Sequence, residues 1–254
     1  MSVVRTSVAA GIGRVTLNRP EAMNAITVEL GRELEAALRG LGARDDVHVV
    51  LVRGAGGNFC AGGDFREVER LRAAGPDALV PLFTSFARAC ATVAELPQPV
   101  VAAVEGVAMA GGFELMQAVD VVLVHDDAKL CDNHVNYGQV PGGGGSQRLP
   151  RLVGRQRALG HLLSGERLRG PDAVAWGLAH RSFAAADFES GVQDFVTALA
   201  GRRPDALRTI KMLVRTGLEG TLDDGLALEL DTVVDHISGD AGGAGVSRFT
   251  SRGA

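Results

Sequence analysis

Apolar residues in the first half of the chain follow two alternating spacings, and each spacing predicts one kind of element. Strand-like runs, most of them unbroken by polar residues, predict buried strands at Arg14–Asn18, Val47–Val52, Val100–Val104 and Val119–Val124. Leucines recur every three or four positions from Leu30 to Leu41 behind a potential N-cap at Thr27, which predicts a helix. A second helix is predicted over residues 77–96, ended by Pro97. Alternating strands and helices are typical of an α/β fold.

The last hundred residues differ, because only helical spacing occurs there. The predicted helices cover residues 155–164, 171–177, 187–200, 204–217 and 222–238, and no strand is predicted among them. We therefore divide the chain into a core at 1–195 and a helical region at 196–254 that belongs to the same structural unit. The tail from residue 239 onward is rich in glycine and serine, and we expect that only a partner subunit orders it.

Composition narrows the class of protein. A hydrophobic content of 46% over 254 residues allows a sizeable core, and Lys+Arg 26 against Asp+Glu 30 gives a net charge of −4. This balance gives no reason to expect nucleic acid or a membrane as a partner. The three cysteines have no disulfide-framework spacing, and no apolar run is long enough for a signal peptide or a membrane span. We therefore expect a cytoplasmic protein.

Glycine is more frequent than in an average protein, with 34 of 254 residues, and its clusters follow the ends of predicted strands. Asn58–Phe65 and Ala108–Leu115 each lead from a strand towards a helical pattern. The chain has no dinucleotide- or triphosphate-binding glycine loop, no serine-hydrolase elbow and no zinc-protease motif. Glycine at such junctions lets two backbone N–H groups approach one carbonyl oxygen beside the positive end of a helix dipole, which predicts an oxyanion hole.

With these motifs the chain resembles the enoyl-CoA hydratase/isomerase (crotonase) family over nearly its whole length. The matching segments are Leu17–Pro20 with Met23–Ala25, Phe59–Asp64, Pro99–Gly106, Gly111–Leu115 with Asp120, Pro141–Arg148 and Leu163–Gly165. The resemblance implies a crotonase-type ββα spiral followed by a C-terminal helical trimerisation region. It also implies an acyl-CoA substrate, a homotrimer or a dimer of trimers, and no cofactor, since coenzyme A is part of the substrate.

The resemblance further implies roles for individual residues. The backbone N–H groups of Gly63 and Gly111 would form the oxyanion hole for a thioester enolate. Glu114 matches one of the two glutamates that flank the substrate double bond in the family's hydratases. The other glutamate is replaced by His134, seven residues before Pro141. The substrate and its coenzyme A moiety are expected beside Arg19, Ala22, Ala61, Asp64, Phe65, Arg66, Tyr137 and Gly142.

Four interpretations of His134 stay open at this point. An imidazole has an ordinary pKa of about 6.5, so His134 could be the second acid or base. It could serve a different thioester reaction through the same enolate, accompany Glu114 in a site that has lost rapid hydration, or be an inert core residue. Cys131 and His134 could be read as a metal pair, but they lack a second pair of ligands, and we expect no metal.

The function that the resemblance implies is hydration of a trans-2-enoyl-CoA to a 3-hydroxyacyl-CoA. Glu114 would hold the water, and His134 would take the place of the second carboxylate. The alternatives are another reaction of the family, namely isomerisation, thioester hydrolysis, dehalogenation or decarboxylation, and a non-catalytic homologue that binds acyl-CoA.

Overall fold

The computed structural model describes residues 2–239 and 242–243, which fall into two compact units divided between Gly201 and Arg202. The strands of the first unit are β1 (Val4–Ala9), β2 (Ile12–Leu17), β3 (Val49–Gly54), β4 (Val100–Val104), β5 (Val107–Met109), β6 (Val121–His125), β7 (Lys129–Cys131) and β8 (Arg181–Phe183). Within the described residues, six of them form one sheet in the order β1-β2-β3-β4-β6-β8, and β5 pairs with β7. Only the β1–β2 pair of these two sheets is antiparallel.

Helices connect and cover these strands. In the first unit they are α1 (Val28–Gly42), α2 (Phe65–Ala73), α3 (Pro76–Glu95), α4 (Gly111–Ala118), α5 (Gly145–Val153), α6 (Arg155–Ser164), α7 (Gly170–Ala175) and α8 (Phe188–Ala200). The second unit contains α9 (Pro204–Gly217) and α10 (Leu222–Ser238). Short 3-10 turns lie at Pro20–Ala22 and His134–Tyr137. None of the helices in the described ranges is both long enough and apolar enough to cross a membrane.

Both faces of the central strands are buried, which explains their unbroken apolar runs. On β3, Val50 and Val52 belong to the larger core cluster, while Val49 and Leu51 belong to a second cluster on the other face. The larger cluster contains the leucines of α1, which Thr27 caps by accepting a hydrogen bond from the Leu30 N–H at 3.1 Å.

The second cluster is completed by α8, through Phe188, Val192 and Val196. The division that we predicted at residue 195 therefore falls inside a helix that packs on the sheet up to its last turn. The expectation of no strand in the last hundred residues was wrong, because Arg181–Phe183 extends the sheet as β8 beside β6. Of the tail that we expected a partner to order, Gly239 and residues 242–243 are described, and the rest lies outside the described residues.

Candidate active site

The residues that were predicted to form the site line one cavity of about 1350 Å³. Its lining includes Arg19, Ala22, Ala61, Gly63, Asp64, Phe65, Arg66, Gly111, Glu114, His134, Tyr137 and Gly142. This volume exceeds the usual range for pockets that hold drug-sized ligands, so the cavity has room for a larger molecule. The fold thus brings these residues together, while their roles toward a ligand stay predictions.

The two glycine junctions meet at this cavity. Gly62 has φ +96°, and a Cβ placed on it would lie 2.7 Å from the Cβ of Ala110 and 3.2 Å from the backbone nitrogen of Gly111. Only glycine permits both this φ and this approach. Across the described ranges of the chain, the N–H groups of Gly63 and Gly111 donate no hydrogen bond to another group. Both donors are therefore available to a ligand.

Ala110 holds the start of α4 in a strained conformation. Its φ of 46° and ψ of −118° are angles that glycine adopts far more easily than alanine. The surrounding hydrogen bonds enforce them, because the Ala110 N–H donates to the carbonyl of Cys131 and its own carbonyl accepts from the Glu114 N–H, each at 2.9 Å. The strained residue thus directly precedes Gly111, the first residue of α4, and both residues line the cavity.

Glu114 lies in the first turn of α4 and is only 2% exposed. Its Oε1 accepts hydrogen bonds from the N–H groups of Gly143 and Gly145, both at 2.8 Å. Its Oε2 accepts none from the described part of the chain. Burial raises the pKa of Glu114, and the two N–H groups and His134 only partly oppose that rise. One carboxylate oxygen is thus fixed, while the other is free to act on a ligand.

The glycine run at 142–145 supports this carboxylate, a role that the sequence did not indicate. A Cβ on Gly143 would lie 2.8 Å from Oε2 of Glu114, and one on Gly145 would lie 3.1 Å from Oε1. Arg148 holds the run from the other side, since its Nη1 donates to the carbonyl of Gly143 at 2.6 Å. Side chains on these glycines would therefore displace the group that they hold.

His134 begins a 3-10 turn and is half-buried at the cavity wall rather than packed in the hydrophobic core. Its Nδ1 lies 2.6 Å from Oδ1 of Asp132. Burial works to lower the pKa of His134, but the hydrogen bond and charge of Asp132 and the charge of Glu114 outweigh it and raise that pKa. Because Nδ1 faces Asp132, Nε2 is the nitrogen left for a ligand.

Asp132 is a site residue that the sequence did not indicate. Its side chain is 2% exposed, and its Oδ2 is buried without a hydrogen-bond partner among the described residues. Its backbone N–H donates to Nε2 of His161 at 3.0 Å. Burial lowers the pKa of His161, whose ring packs against Phe113 and Trp176. The signal in the sequence was a carboxylate two residues before His134, and the two side chains meet where the chain passes from β7 into the 3-10 turn.

Arg19 and Asp64 form an ion pair at 2.8 Å on the cavity wall. Arg19 also donates to the carbonyl of Ala25 at 2.6 Å, and Asp64 caps α2 by accepting from the N–H groups of Arg66 and Glu67. Burial works to raise the pKa of Asp64, but Arg19 and these N–H groups lower it below the ordinary value. The pair therefore has a structural function of its own, since it ties the loop before α1 to α2.

Phe65 and Tyr137 lie at the open side of the cavity, with exposed fractions of 63% and 61%. Their ring centroids are 5.6 Å apart. Exposed aromatic rings at a cavity offer apolar area and a surface on which a planar group can stack. Their position fits the expectation that substrate or coenzyme A lies beside them.

The cysteines do not supply a nucleophile. All three are buried and free, and burial raises the pKa of Cys60 and Cys90 to about 12 and that of Cys131 to about 11. At neutral pH such thiols stay protonated and unreactive. In the part of the chain that the structure describes, no three His, Cys, Asp or Glu side chains are grouped to hold a metal ion.

Known proteins resemble this chain in sequence and in fold. The family model described as enoyl-CoA hydratase/isomerase matches residues 7–254. A Bacillus subtilis (strain 168) protein named as an enoyl-CoA hydratase/isomerase is 34% identical over 216 residues, covering 85% of this chain and 82% of its own. The 1,2-epoxyphenylacetyl-CoA isomerase of Escherichia coli (strain K12) is 32% identical over 233 residues, covering 91% and 88%.

A crystal structure of an enoyl-CoA hydratase from Polaromonas sp. JS666 matches the fold with a TM-score of 0.93 at 29% identity. The match covers 98% of this chain and 97% of the other. This similarity confirms the fold class that was predicted from the sequence.

Proposed function

Because the chain belongs to the enoyl-CoA hydratase/isomerase family, we propose that it adds water to a trans-2-enoyl-CoA and forms a 3-hydroxyacyl-CoA. One observation carries the proposal: Glu114 has one oxygen fixed by two N–H groups and the other free, on the same cavity as the unbonded N–H groups of Gly63 and Gly111. A base and an oxyanion hole on one cavity are what addition to an α,β-unsaturated thioester requires.

The oxyanion hole acts on the thioester carbonyl. When water adds at C3, negative charge moves to the carbonyl oxygen, which accepts hydrogen bonds from the N–H groups of Gly63 and Gly111. Donors that are fixed before the reaction need no reorganisation as the charge develops. Each such donor typically contributes about 3 kcal/mol to transition-state stabilisation.

Glu114 and His134 divide the proton transfers. Glu114 accepts a proton from the attacking water through Oε2, and protonated His134 gives a proton to C2 of the enolate. Transfer of the proton on Glu114 to His134 then restores both groups, so that the net change is the uptake of one water molecule. The raised pKa of Glu114 favours its function as a base, because a carboxylate whose pKa lies nearer to neutral pH accepts a proton more readily.

Glu114→Gln tests the proposal directly. The amide oxygen of glutamine still accepts from Gly143 and Gly145, but the side chain no longer accepts a proton from water. We expect kcat for crotonyl-CoA hydration, followed by loss of the enoyl-thioester absorbance, to fall about 10²- to 10⁴-fold with little change in CoA affinity. Glu219→Gln, an exposed change in the second unit, should keep full activity. Full activity of Glu114→Gln would reject the assignment.

Isomerisation of an acyl-CoA is the second candidate, favoured by the 32% identity to the Escherichia coli isomerase. The two reactions share an enolate but differ in product, because only hydration adds the mass of one water. Mass spectrometry of the product therefore separates them. Tight CoA binding with no turnover of any enoyl-CoA would instead favour a non-catalytic acyl-CoA-binding protein.

A homotrimer or a dimer of trimers is the assembly that we propose. Helix α10 carries a stripe of large apolar side chains that are each more than half exposed, namely Leu222, Leu226, Leu230, Val234 and Ile237. Exposed apolar patches of this kind mark surfaces that bind another protein. A partner chain of the same sequence accounts for them, in agreement with the assembly implied by the family resemblance.

A further inference from the structure

Asp132 and His134 form a pair whose geometry is fixed from several sides. The carboxylate is almost fully buried, and its Oδ1 lies 2.6 Å from Nδ1 of His134. The backbone of Asp132 directly follows β7 and is held by the hydrogen bond of its N–H to His161 on α6. The Asp132 carboxylate is therefore shielded from solvent and restricted in its rotation, and its hydrogen bond sets the orientation of the imidazole.

The charges around His134 favour a cation. Asp132 faces it directly, Glu114 on α4 acts on it electrostatically, and His161 on α6 is turned toward the backbone of Asp132. Among the described side chains, His134 is the group within ion-pair distance of Asp132. Oδ2 of Asp132 is buried and has no hydrogen-bond partner among the residues that the structure describes, so the charge on this carboxylate depends on His134 for compensation.

We propose that Asp132 is a positioning residue that holds His134 as an imidazolium with its Nε2–H toward the cavity, so that His134 is the acid and Glu114 the base. The assignment of His134 as acid and Glu114 as base rests on the proposed hydration, whereas the pairing of Asp132 with His134 does not. In the reaction the Nε2–H bond breaks and a C2–H bond forms, and the electron pair comes from the enolate. The imidazole left behind is neutral until it receives the proton that Glu114 took from water.

The raised pKa of His134 agrees with this assignment, because it keeps the imidazolium populated nearer to neutral pH. As pH rises through that pKa, His134 loses its proton and the acid function is lost. As pH falls through the raised pKa of Glu114, the base function is lost. The inference therefore predicts a bell-shaped pH profile of kcat/KM whose alkaline limb belongs to His134.

Asp132→Asn in the full chain tests the pairing. Asparagine keeps the shape and an acceptor but removes the charge, so we expect the pKa of His134 to fall by about 1 unit or more. NMR titration of the histidine ring carbons measures it, with the His134 signal identified by its loss in His134→Gln. Asp127→Asn, which removes an exposed carboxylate paired with Arg169, is the matched control and should leave that pKa unchanged.

The same variant should move the alkaline limb of kcat/KM to lower pH by the same amount as the NMR pKa. At pH 8 we expect kcat to fall about 10- to 100-fold with little change in KM, and to recover as pH is lowered. A structural defect would lower activity at every pH. An unmoved alkaline limb, or an unchanged His134 pKa, would overturn the inference.

The two proposals fail in different ways. If the His134 pKa falls in Asp132→Asn but the wild type hydrates no enoyl-CoA, the pairing is supported and hydration is rejected. If hydration is normal and the pKa does not move, the inference alone is rejected. Should Asp132→Asn not fold, NMR titration of the wild type decides the pairing, because a His134 pKa no higher than the ordinary value of about 6.5 would overturn it. The residual activity of His134→Gln must also lack the alkaline limb.

Discussion

At the level of single residues, Glu114 combines two opposed conditions. Burial disfavours its charged form, while the N–H groups of Gly143 and Gly145 and the nearby His134 favour it. The balance leaves its pKa above the ordinary value, so the folded protein binds this proton more tightly than the unfolded chain does. A residue of this kind contributes to stability below pH 4.5, and that contribution is lost as pH rises through the raised pKa.

Glu114→Gln should therefore be more stable than the wild type at neutral pH. Glutamine keeps both hydrogen bonds and carries no charge, so it avoids the cost of burying a carboxylate. We expect its Tm to be a few degrees higher at pH 7–8, and the difference to shrink as the pH approaches 4. Thermal denaturation followed by circular dichroism measures both. Equal Tm values over the whole range would show that burial of Glu114 carries no cost.

At the level of elements, the segment from Pro141 to the first turn of α5 supports the Glu114 carboxylate. Its glycines are required by space, since a Cβ on Gly143 would meet Phe86 and Oε2 of Glu114. Arg148 of α5 then fixes the segment through the carbonyl of Gly143. The position of the proposed base, Glu114, thus depends directly on backbone N–H groups of this segment and not on any of its side chains.

Gly143→Ala should consequently lower activity more than stability. We expect kcat for hydration to fall at least about 10-fold, because small displacements of catalytic groups reduce rates strongly. Gly160→Ala on α6 is the matched control, since its Cβ would meet no atom within 4 Å. That control should keep its activity and gain up to about 1 kcal/mol in unfolding free energy from helix propensity. Equal kinetics in both variants would contradict the supporting role of the segment.

The elements that the sequence predicted well are those with long apolar runs or a clear stripe, such as β4 and α1. Strands β5, β7 and β8 have three residues each, which is too short for any periodicity. β1 is a largely exposed edge strand, and α2 buries only Leu71, so neither carries an apolar pattern. α5 begins with glycine and contains Pro150, which are features of a loop.

The site followed the same rule. Glu114 and His134 were expected from the resemblance to the family, through their positions relative to Gly111 and Pro141. Asp132 was not found, because residues two apart come into side-chain contact only in certain backbone conformations, and the sequence does not specify the conformation at Asn133. The support of Glu114 by Gly143 and Gly145 depends on backbone N–H groups from a distant segment, and residue type gives no information on where such groups point.

For the molecule as a whole, the proposed assembly accounts for the exposed apolar stripe on α10. Leu230→Asp puts a charge into the apolar stripe on α10, where Leu230 is 63% exposed. We expect light scattering to give three or six times the chain mass for the wild type and a smaller mass for this variant. Asp231→Ala, on another side of the same helix, should leave the mass unchanged. A wild-type monomer would reject the proposed assembly.

The dependence on main-chain N–H groups has a further consequence for how this protein can change. The donors at Gly63 and Gly111 and those that hold Glu114 belong to the backbone, so a codon change cannot delete them unless it introduces proline. The side chain at position 134, in contrast, can be exchanged by mutation. In the proposed mechanism, stabilisation of the enolate therefore depends on groups that most substitutions leave in place, whereas the group that protonates the enolate can be exchanged by a single codon change at position 134.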